Sequence, residues 1–341
     1  MRIAVCAPQV PFVRGGAEIF AETLVEQLGG REHEAELVTV PFKWYPGTRV
    51  LDQAFLWRLL DLTESDGRPI DLVVATKFPS YCVRHPNKRV WVLHQFRQAY
   101  ELDKTDLGQF SEEPADRAVR RSVQRLDRVA LGEAQRLFAT SRNVAERIER
   151  STGLVAEVMP HPPQALRYRN EGYGDFVLSV NRLDRAKRID LLLEAAALDT
   201  SLRVVVTGDG PDRGRLEALA RERGLDGRAE FTGRITSDEL AGLYASCLAV
   251  YYAPVDEDFG MVPFEAFLSE KPVLTTHDAG GPLEIVADGR TGLVTAPDAS
   301  ELARAAGRLR EHPDEARAFG QAGHELAARV TWDACIDRLL A

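Results

Sequence analysis

The sequence predicts an α/β protein built from two Rossmann-like domains facing across a cleft. Three observations predict it. A chain of 341 residues has room for about two domains at ~150 residues each. Short β-branched runs alternate with longer amphipathic stretches in both halves, the pattern of parallel sheets joined by right-handed crossovers. The stretch 161–175, HPPQALRYRNEGYGD, is rich in Pro, Gly and polar residues and carries no periodicity. The division expected from it is 1–168, then 169–325, then a C-terminal helix, 326–341, packing back on the first domain.

Each element follows from its local pattern. In the first half, short apolar runs predict strands at Arg2–Ala7, Ala35–Val40, Asp71–Thr76, Val90–His94, Arg136–Thr140 and Ala156–Pro160. Helical spacing of apolar residues predicts Ala17–Leu28, Ala115–Ala130 and Asn143–Ser151. The second half alternates more regularly. Strands are expected at Phe176–Val180, Arg203–Thr207, Ala229–Thr232, Ala249–Ala253 and Pro272–Thr275, with helices at Ile189–Leu198, Asp212–Arg223, Ser237–Ala245 and Val262–Leu268. The Ala-, Arg- and Glu-rich tail from Ser300 to Ala341 reads as helical.

Composition removes several classes. Hydrophobic residues are 45% and charged residues 28%, as in an ordinary globular protein. The net charge of −9 disfavours nucleic acid as a partner, since that binding needs a broad basic surface. No apolar run reaches the ~18 residues of a membrane span, because Asp52, Arg58 and Asp61 interrupt the greasiest stretch, 50–62. The N-terminal apolar segment has no small-residue cleavage site and reads as a first strand. Cys6, Cys82, Cys247 and Cys335 lie far apart, which argues against a metal knuckle and for a reduced, cytoplasmic protein.

Open parallel sheets place ligands beyond the carboxyl ends of their strands, so the loops there carry the chemistry. Gly15-Gly16 follows strand one and opens a helix, where free amides favour an anion; a tight turn that binds nothing is the alternative. Gly208-Asp209-Gly210 follows a later strand but makes only a weak dinucleotide match. The stretch Asn181–Arg188 holds four cations, Arg182, Arg185, Lys187 and Arg188, at a strand's carboxyl end. Such a cluster suits a diphosphate, or is a solvated basic turn. In Glu257–Glu265, EDFGMVPFE, Gly260 allows a sharp turn and Pro263 fits only a first helical turn, so a helix starts near Met261. Its amides at Gly260, Met261 and Val262 would face an anion, and Glu257 and Glu265 flank them as acceptors for vicinal hydroxyls. A helix with an acidic, dipole-stabilised start explains Glu257 and Asp258 but not Glu265 with the Gly and Pro.

The helix near Ala115–Ala130 carries Val119, Val123, Leu126 and Ala130 on one stripe and Arg117, Arg121, Arg125 and Arg128 on another. It would dock an anionic acceptor or make weak peripheral contact with a membrane surface, or it is a core helix with a solvated Arg face. Asp116 and Asp127 interrupt the charge and favour the latter.

Together these elements resemble the retaining family 4 glycosyltransferases of the GT-B fold. EDFGMVPFE resembles the E-x7-E signature, NRLDRAKRIDLLLEAA the R-L-x-x-x-K phosphate element, FTGRITSDELAGLYASC the nucleotide-base loop and GGAEIFAETL the first glycine loop. KPVLTTHDAGGPLEIVADGRTGLV resembles the segment after the signature helix. The likeness runs from about Asp175 to Val294, and in the N-terminal half rests on the glycine loop, VWVLHQF and VAEVMPHPP. Asn181 replaces the commoner Gly before Arg-Leu, and HPP lacks the Asp that often follows it.

The resemblance implies a retaining hexosyltransferase acting from a nucleoside-diphosphate sugar on a glycan, lipid-linked or small-molecule hydroxyl, with no metal and no other cofactor. It implies that Arg182 and Lys187 hold the diphosphate, Glu265 the ribose and Glu257 the transferred sugar. Gly260, Met261 and Val262 would offer amides, Gly15 and Gly16 would cap the diphosphate, and Gly208, Arg234 and Ile235 would line the nucleotide site. His94, ending the VWVLH strand, would face the donor sugar. Asp256 and Asp258, the only nearby D-x-D, are expected to be solvated and not metal ligands. Rival readings are a GT-B-like epimerase, which needs acid/base carboxylates, a phosphorylase, which needs a lysine-anchored cofactor and greater length, and a non-catalytic nucleotide-sugar-binding protein.

Overall fold

A computed structural model describes residues 1–106 and 108–341. It divides into two compact units, 1–164 with 332–341, and 165–331. Each is a parallel sheet of six strands with helices on both faces.

In the first unit the strands are β1 (Arg2–Gln9), β2 (Glu34–Pro41), β5 (Leu72–Ala75), β6 (Lys88–Val92), β7 (Arg136–Ala139) and β8 (Glu157–Val158). Their order is β2-β1-β5-β6-β7-β8; a small hairpin, β3 (Glu64–Ser65) and β4 (Arg68–Pro69), stands apart. Side chains alternate between the two faces along each strand. Ile3, Val5, Leu72 and Val74 pack on one face against helix α1 (Gly16–Gly29) through Phe20, Leu24 and Leu28. Ala4, Cys6, Val73 and Ala75 pack on the other against helices α2 (Arg49–Leu59), α3 (Pro114–Gly132) and α4 (Arg142–Thr152).

Helix α2 lies in the stretch expected only to be too charged for a membrane span. Its buried residues are Val50, Ala54 and Trp57, while Phe55, Leu56 and Leu59 are exposed. Apolar residues on both sides blur the periodicity that marks an amphipathic helix.

The second unit contains β9 (Phe176–Val180), β10 (Arg203–Thr207), β11 (Ala229–Gly233), β12 (Ala249–Tyr251), β13 (Val273–Thr276) and β14 (Gly292–Thr295), in the order β11-β10-β9-β12-β13-β14. Helices α5 (Ile189–Leu198) and α6 (Arg213–Glu222) cover one face with α9 (Ala299–Glu311). The other is covered by α7 (Ser237–Ser246), α8 (Met261–Leu268) and α10 (Pro313–Ala327). Strand β14 was not anticipated. It opens on Gly292, where a Cβ would stand 2.0 Å from the Val273 carbonyl oxygen, so a residue that reads as a breaker is required by close backbone approach.

The tail is not one helix. After α10 the chain runs to a separate helix α11 (Trp332–Leu340), which belongs to the first unit. Cys335, Ile336 and Leu339 enter the core beside α1, the isoleucine and leucine each worth ~1.5–3 kcal/mol if fully withdrawn from water. Arg31 pairs with Asp333 at 2.6 Å, and Arg338 with Glu157 at 2.5 Å. Among the described residues no helix is long and apolar enough to cross a membrane.

Candidate active site

The second sheet reverses its strand order between β9 and β12, and a doubly wound sheet opens a crevice beyond the carboxyl ends at such a point. The loops leaving β9 and β12 are the basic loop 181–188 and the acidic loop 253–260. Topology therefore brings together two motifs seventy positions apart in the chain.

The β9 loop is held by its neighbours. Asn181 N–H donates to the Thr207 carbonyl at 3.1 Å, and Leu183 N–H to that of Asp209 at 3.1 Å. This closeness depends on Gly208, at φ +117°, where a Cβ would lie 1.9 Å from the Asn181 oxygen. The amide of Gly208 donates to the Gly233 carbonyl at 2.9 Å, so that N–H serves loop packing. Arg234, exposed, and Ile235, half-buried, follow directly from Gly233.

The four cations of this loop separate into different roles. Arg188, in the left-handed region at φ 49°, is a clamp: it pairs with Asp278 at 2.8 Å and donates to the carbonyls of Ala253 and Pro254 at 2.8 and 3.0 Å. Lys187 forms an ion pair with Glu257, whose carboxylate also accepts from the Tyr252 hydroxyl at 3.3 Å. Burial alone would push the Lys187 ammonium down, but Glu257 and Tyr252 outweigh it and hold its pKa above the usual lysine value. Arg182 is exposed and, among the described residues, has no side-chain partner; Arg185 is exposed as well. The expected basic cluster is thus two paired cations, Arg188 and Lys187, and two exposed ones.

Glu257 is pinned through its backbone. Its N–H donates to the Ala279 carbonyl at 2.8 Å, and its own carbonyl accepts from Gly281 N–H at 2.8 Å. The approach requires Gly280 and Gly281: a Cβ would meet the Glu257 oxygen at 2.7 Å at the first and the Asp258 oxygen at 2.5 Å at the second. The pair repeats the pattern of Gly15-Gly16, two glycines after a strand, but its role depends on contacts with Glu257 and Asp258 that no local pattern shows. Asp258 is buried and not solvated as expected, because its residue lies beneath this contact; Asp256 is half-buried.

Helix α8 starts at Met261 on Gly260, whose φ is +87°, with no side-chain cap and no acid in its first turn. The amides of Met261 and Val262 therefore meet no carboxylate from their own turn. Glu265, one turn on, is buried, and one oxygen accepts from the Tyr244 hydroxyl at 2.5 Å. Burial raises its pKa, and the Tyr244 hydrogen bond opposes that rise. Tyr168 packs edge-on against Tyr244 with ring centroids 6.4 Å apart. Glu257 and Glu265 thus stand on either side of the Gly260 turn, each held by a tyrosine that the sequence did not single out.

The remaining candidates lie in the first unit. Gly15 caps α1 and Gly16 begins it, but Gly15 N–H donates to the Glu18 carboxylate at 2.9 Å, and Glu18 pairs with Lys77 at 2.9 Å. The Gly15 amide is thus taken by the helix's own carboxylate. His94 does not end a strand; β6 stops at Val92, and His94 lies half-buried in the bend beyond, its Nδ1 2.7 Å from the Gln95 carbonyl. Among the described residues no group of three His, Cys, Asp or Glu is placed to hold a metal ion.

Residues 168–326 match the glycosyl transferases group 1 family, so the second unit carries a domain of that family. An α-1,3/1,6-mannosyltransferase of Dictyostelium discoideum is 30% identical over 172 residues, 44% of this chain and 40% of that protein. A D-inositol 3-phosphate glycosyltransferase of Mycobacterium avium is 35% identical over 174 residues, 49% of this chain and 41% of that one. The aligned part thus spans well under two thirds of these relatives. Among solved structures, sucrose-phosphate synthase from Thermosynechococcus elongatus superposes with a TM-score of 0.81 at 19% identity, covering 99% of this chain and 97% of that one. Anabaena HepE, in complex with UDP-glucose, does so with 0.73 at 17%, covering 100% and 98%. The two Rossmann-like domains are accordingly those of the GT-B architecture.

Proposed function

We propose that the protein is a retaining family 4 glycosyltransferase that moves a hexose-type sugar from a nucleoside-diphosphate sugar to a hydroxyl of a glycan, a lipid-linked or a small-molecule acceptor. The observation that carries this reading is the meeting of Lys187, Glu257 and the uncapped start of α8 at the strand-order reversal of a group 1 domain. The neighbour solved with UDP-glucose supports a nucleotide-sugar donor.

In this reading Glu265 accepts from ribose hydroxyls and Glu257 from the transferred sugar, while Arg182 and the amides of Met261 and Val262 meet the diphosphate. Donor binding gives Lys187 a second anion beside Glu257. The anomeric carbon–oxygen bond to the diphosphate breaks as the acceptor oxygen attacks from the same face. The acceptor's proton passes to the departing diphosphate oxygen, so no protein nucleophile is needed. Arg182 and Lys187 stabilise charge that grows as the bond breaks, which is where a preorganised cation acts most strongly. The reading needs no divalent ion and no other cofactor, and it places the protein in the cytoplasm.

A panel of nucleotide sugars tests it by thermal shift. A true donor at 100 times its dissociation constant should add ~2.7 kcal/mol of stability. With that donor, NMR of the early product should show the donor's anomeric configuration, and turnover should survive EDTA. An inverted product would sink the assignment, and rescue of EDTA-lost activity by Mg²⁺ or Mn²⁺ would transfer the charge role to Asp256 and Asp258.

A further inference from the structure

The outer layer of the first unit carries a face that the transfer reaction leaves unused. Helix α3 buries Val119, Val123 and Ala130 in the same core as Val50, Ala54 and Trp57 of α2, so the opposite sides of both helices point away from that core. On α3 that side is Arg117, Arg121, Arg125 and Arg128, all exposed. At 100° and 1.5 Å per residue they fall within about 80° of arc over about 17 Å. Among the described residues none of the four has a side-chain partner.

The two acids expected to break the stripe do not. Asp127 is fully buried and accepts from the hydroxyls of Tyr81 and Tyr100 at 2.8 Å each and from Gln95 at 3.0 Å. Asp116 is held by the Ser111 amide and hydroxyl at the helix start, both at 2.7 Å. Helix α4 alongside is mixed, with Arg142 and Arg150 against Glu146 and Glu149, so the uncompensated positive charge is confined to α3.

Beside the stripe, α2 exposes Phe55 by 61%, Leu56 by 45% and Leu59 by 63%. The two helices are tied at their C-terminal ends, where Arg58 grips Glu133 through two hydrogen bonds of 2.6 and 2.8 Å. A basic row flanked by protruding Phe and Leu is the composition of a surface that lies on an anionic bilayer. A soluble polyanion would use the arginines and leave the apolar trio in water. A two-fold contact with a second copy would bury the trio but set the arginine rows against each other.

We propose that this α2–α3 face docks the protein on a membrane rich in anionic lipid, with Phe55, Leu56 and Leu59 entering the headgroup boundary and the four arginines facing lipid phosphates. The proposal does not rest on the glycosyltransferase reading, because neither helix belongs to the candidate site.

Vesicle sedimentation of the full chain tests it, with phosphatidylcholine alone and with phosphatidylglycerol mixed in at about one third. The wild type should bind only the mixed vesicles and be released by high salt. Each arginine is worth about fivefold in partitioning, so R117Q/R121Q/R125Q/R128Q should weaken binding on the order of several hundredfold. F55S/L56S/L59S should lose about tenfold or more and keep a salt-sensitive remainder. Circular dichroism melting confirms that both variants fold, and unchanged nucleotide binding separates this face from the donor site. Wild-type protein left in the supernatant, or a quadruple variant that sediments like wild type, would overturn the proposal. So would a concentration-dependent dimer abolished by F55S/L56S/L59S, which would make the face a contact between copies.

Discussion

Two loops occupy equivalent places in the two sheets, and they have been closed differently. In the first unit the strand order reverses between β1 and β5, and the glycine loop after β1 meets Lys77 beyond β5. There Glu18 takes the Gly15 amide and Lys77 neutralises Glu18, with both side chains about one-tenth exposed. The set is electrically complete. In the second unit the loops after β9 and β12 also form an ion pair, Lys187 with Glu257, but α8 begins without a cap and Arg182 is left open. A shared topology fixes where a ligand crevice can open. The residue three places into the helix then decides whether the N-cap amide is committed to the helix's own carboxylate or left open.

The difference predicts where each loop reports when broken. The largest effect should come from Lys77→Met, which leaves the nearly buried Glu18 carboxylate with the Gly15 amide but without its counter-charge. Denaturant unfolding should show a loss of about 3–5 kcal/mol, and a loss below 1 kcal/mol would mean the first loop is no more closed than the second. Arg182→Ala should act the other way round. Turnover should fall about a hundredfold, ~3 kcal/mol of transition-state stabilisation, with an unchanged melting temperature because the side chain is exposed and, among the described residues, makes no hydrogen bond or ion pair. Equal turnover would remove Arg182 from the site.

The first unit's buried polar groups should likewise appear in stability and not in turnover. His161 is enclosed by Phe20, Trp91 and Trp332, with ring centroids 4.5, 6.2 and 6.2 Å away. Burial lowers its pKa from 6.5 to about 4, partly opposed by its bond to the Pro162 carbonyl. A histidine pKa lowered by folding contributes stability that is present above about 6.5 and lost as pH falls through about 4, up to about 3 kcal/mol. Asp127, raised by burial from 3.8 to about 6 against its three hydrogen bonds, works oppositely and loses stability as pH rises across that window. Unfolding of wild type and His161→Phe between pH 4 and 7 isolates the histidine: the variant should lose less stability on acidification. Parallel curves would show that His161 is not held neutral.

The smallest contrast is between two glycines. Gly260→Ala places a methyl 2.7 Å from Tyr252 Cε1 at φ +87°, and should cost about 1–3 kcal/mol. Gly15→Ala, at φ −145° with its nearest atom, Glu18 Oε2, 3.6 Å away, should stay within about 0.5 kcal/mol. Thermal melting of the pair separates a glycine that the turn requires from one that it tolerates.

Much of the second domain was legible in sequence because its strands are buried on both faces and bounded by sharp breaks. Phe176–Val180, Arg203–Thr207 and Ile189–Leu198 occur at the residues expected, and α8 starts at the residue its Gly and Pro require. Elements whose reason lies in another segment were not legible. Strand β14 depends on close approach to Val273, and α2 shows no clean stripe because it is apolar on its exposed side too.

The candidate site divides in the same way. The sequence by itself determined which chemistry is present: cations after one strand, carboxylates around a glycine turn after another, and a helix beginning between them. Tertiary structure alone decided what each group does. Along the chain, charge and position alone do not distinguish Arg182 from Arg188, and only the likeness to the R-L-x-x-x-K element singles Arg182 out; a left-handed turn commits Arg188 to Asp278 and leaves Arg182 open. Nothing along it pairs Lys187 with Glu257, turns Asp127 inward from an arginine stripe, or commits the Gly15 amide to Glu18. Residue type and spacing set the charge a segment carries, because that is a local property. Whether the charge is neutralised depends on which strand lies next to it, and strand order is decided only when the whole sheet assembles.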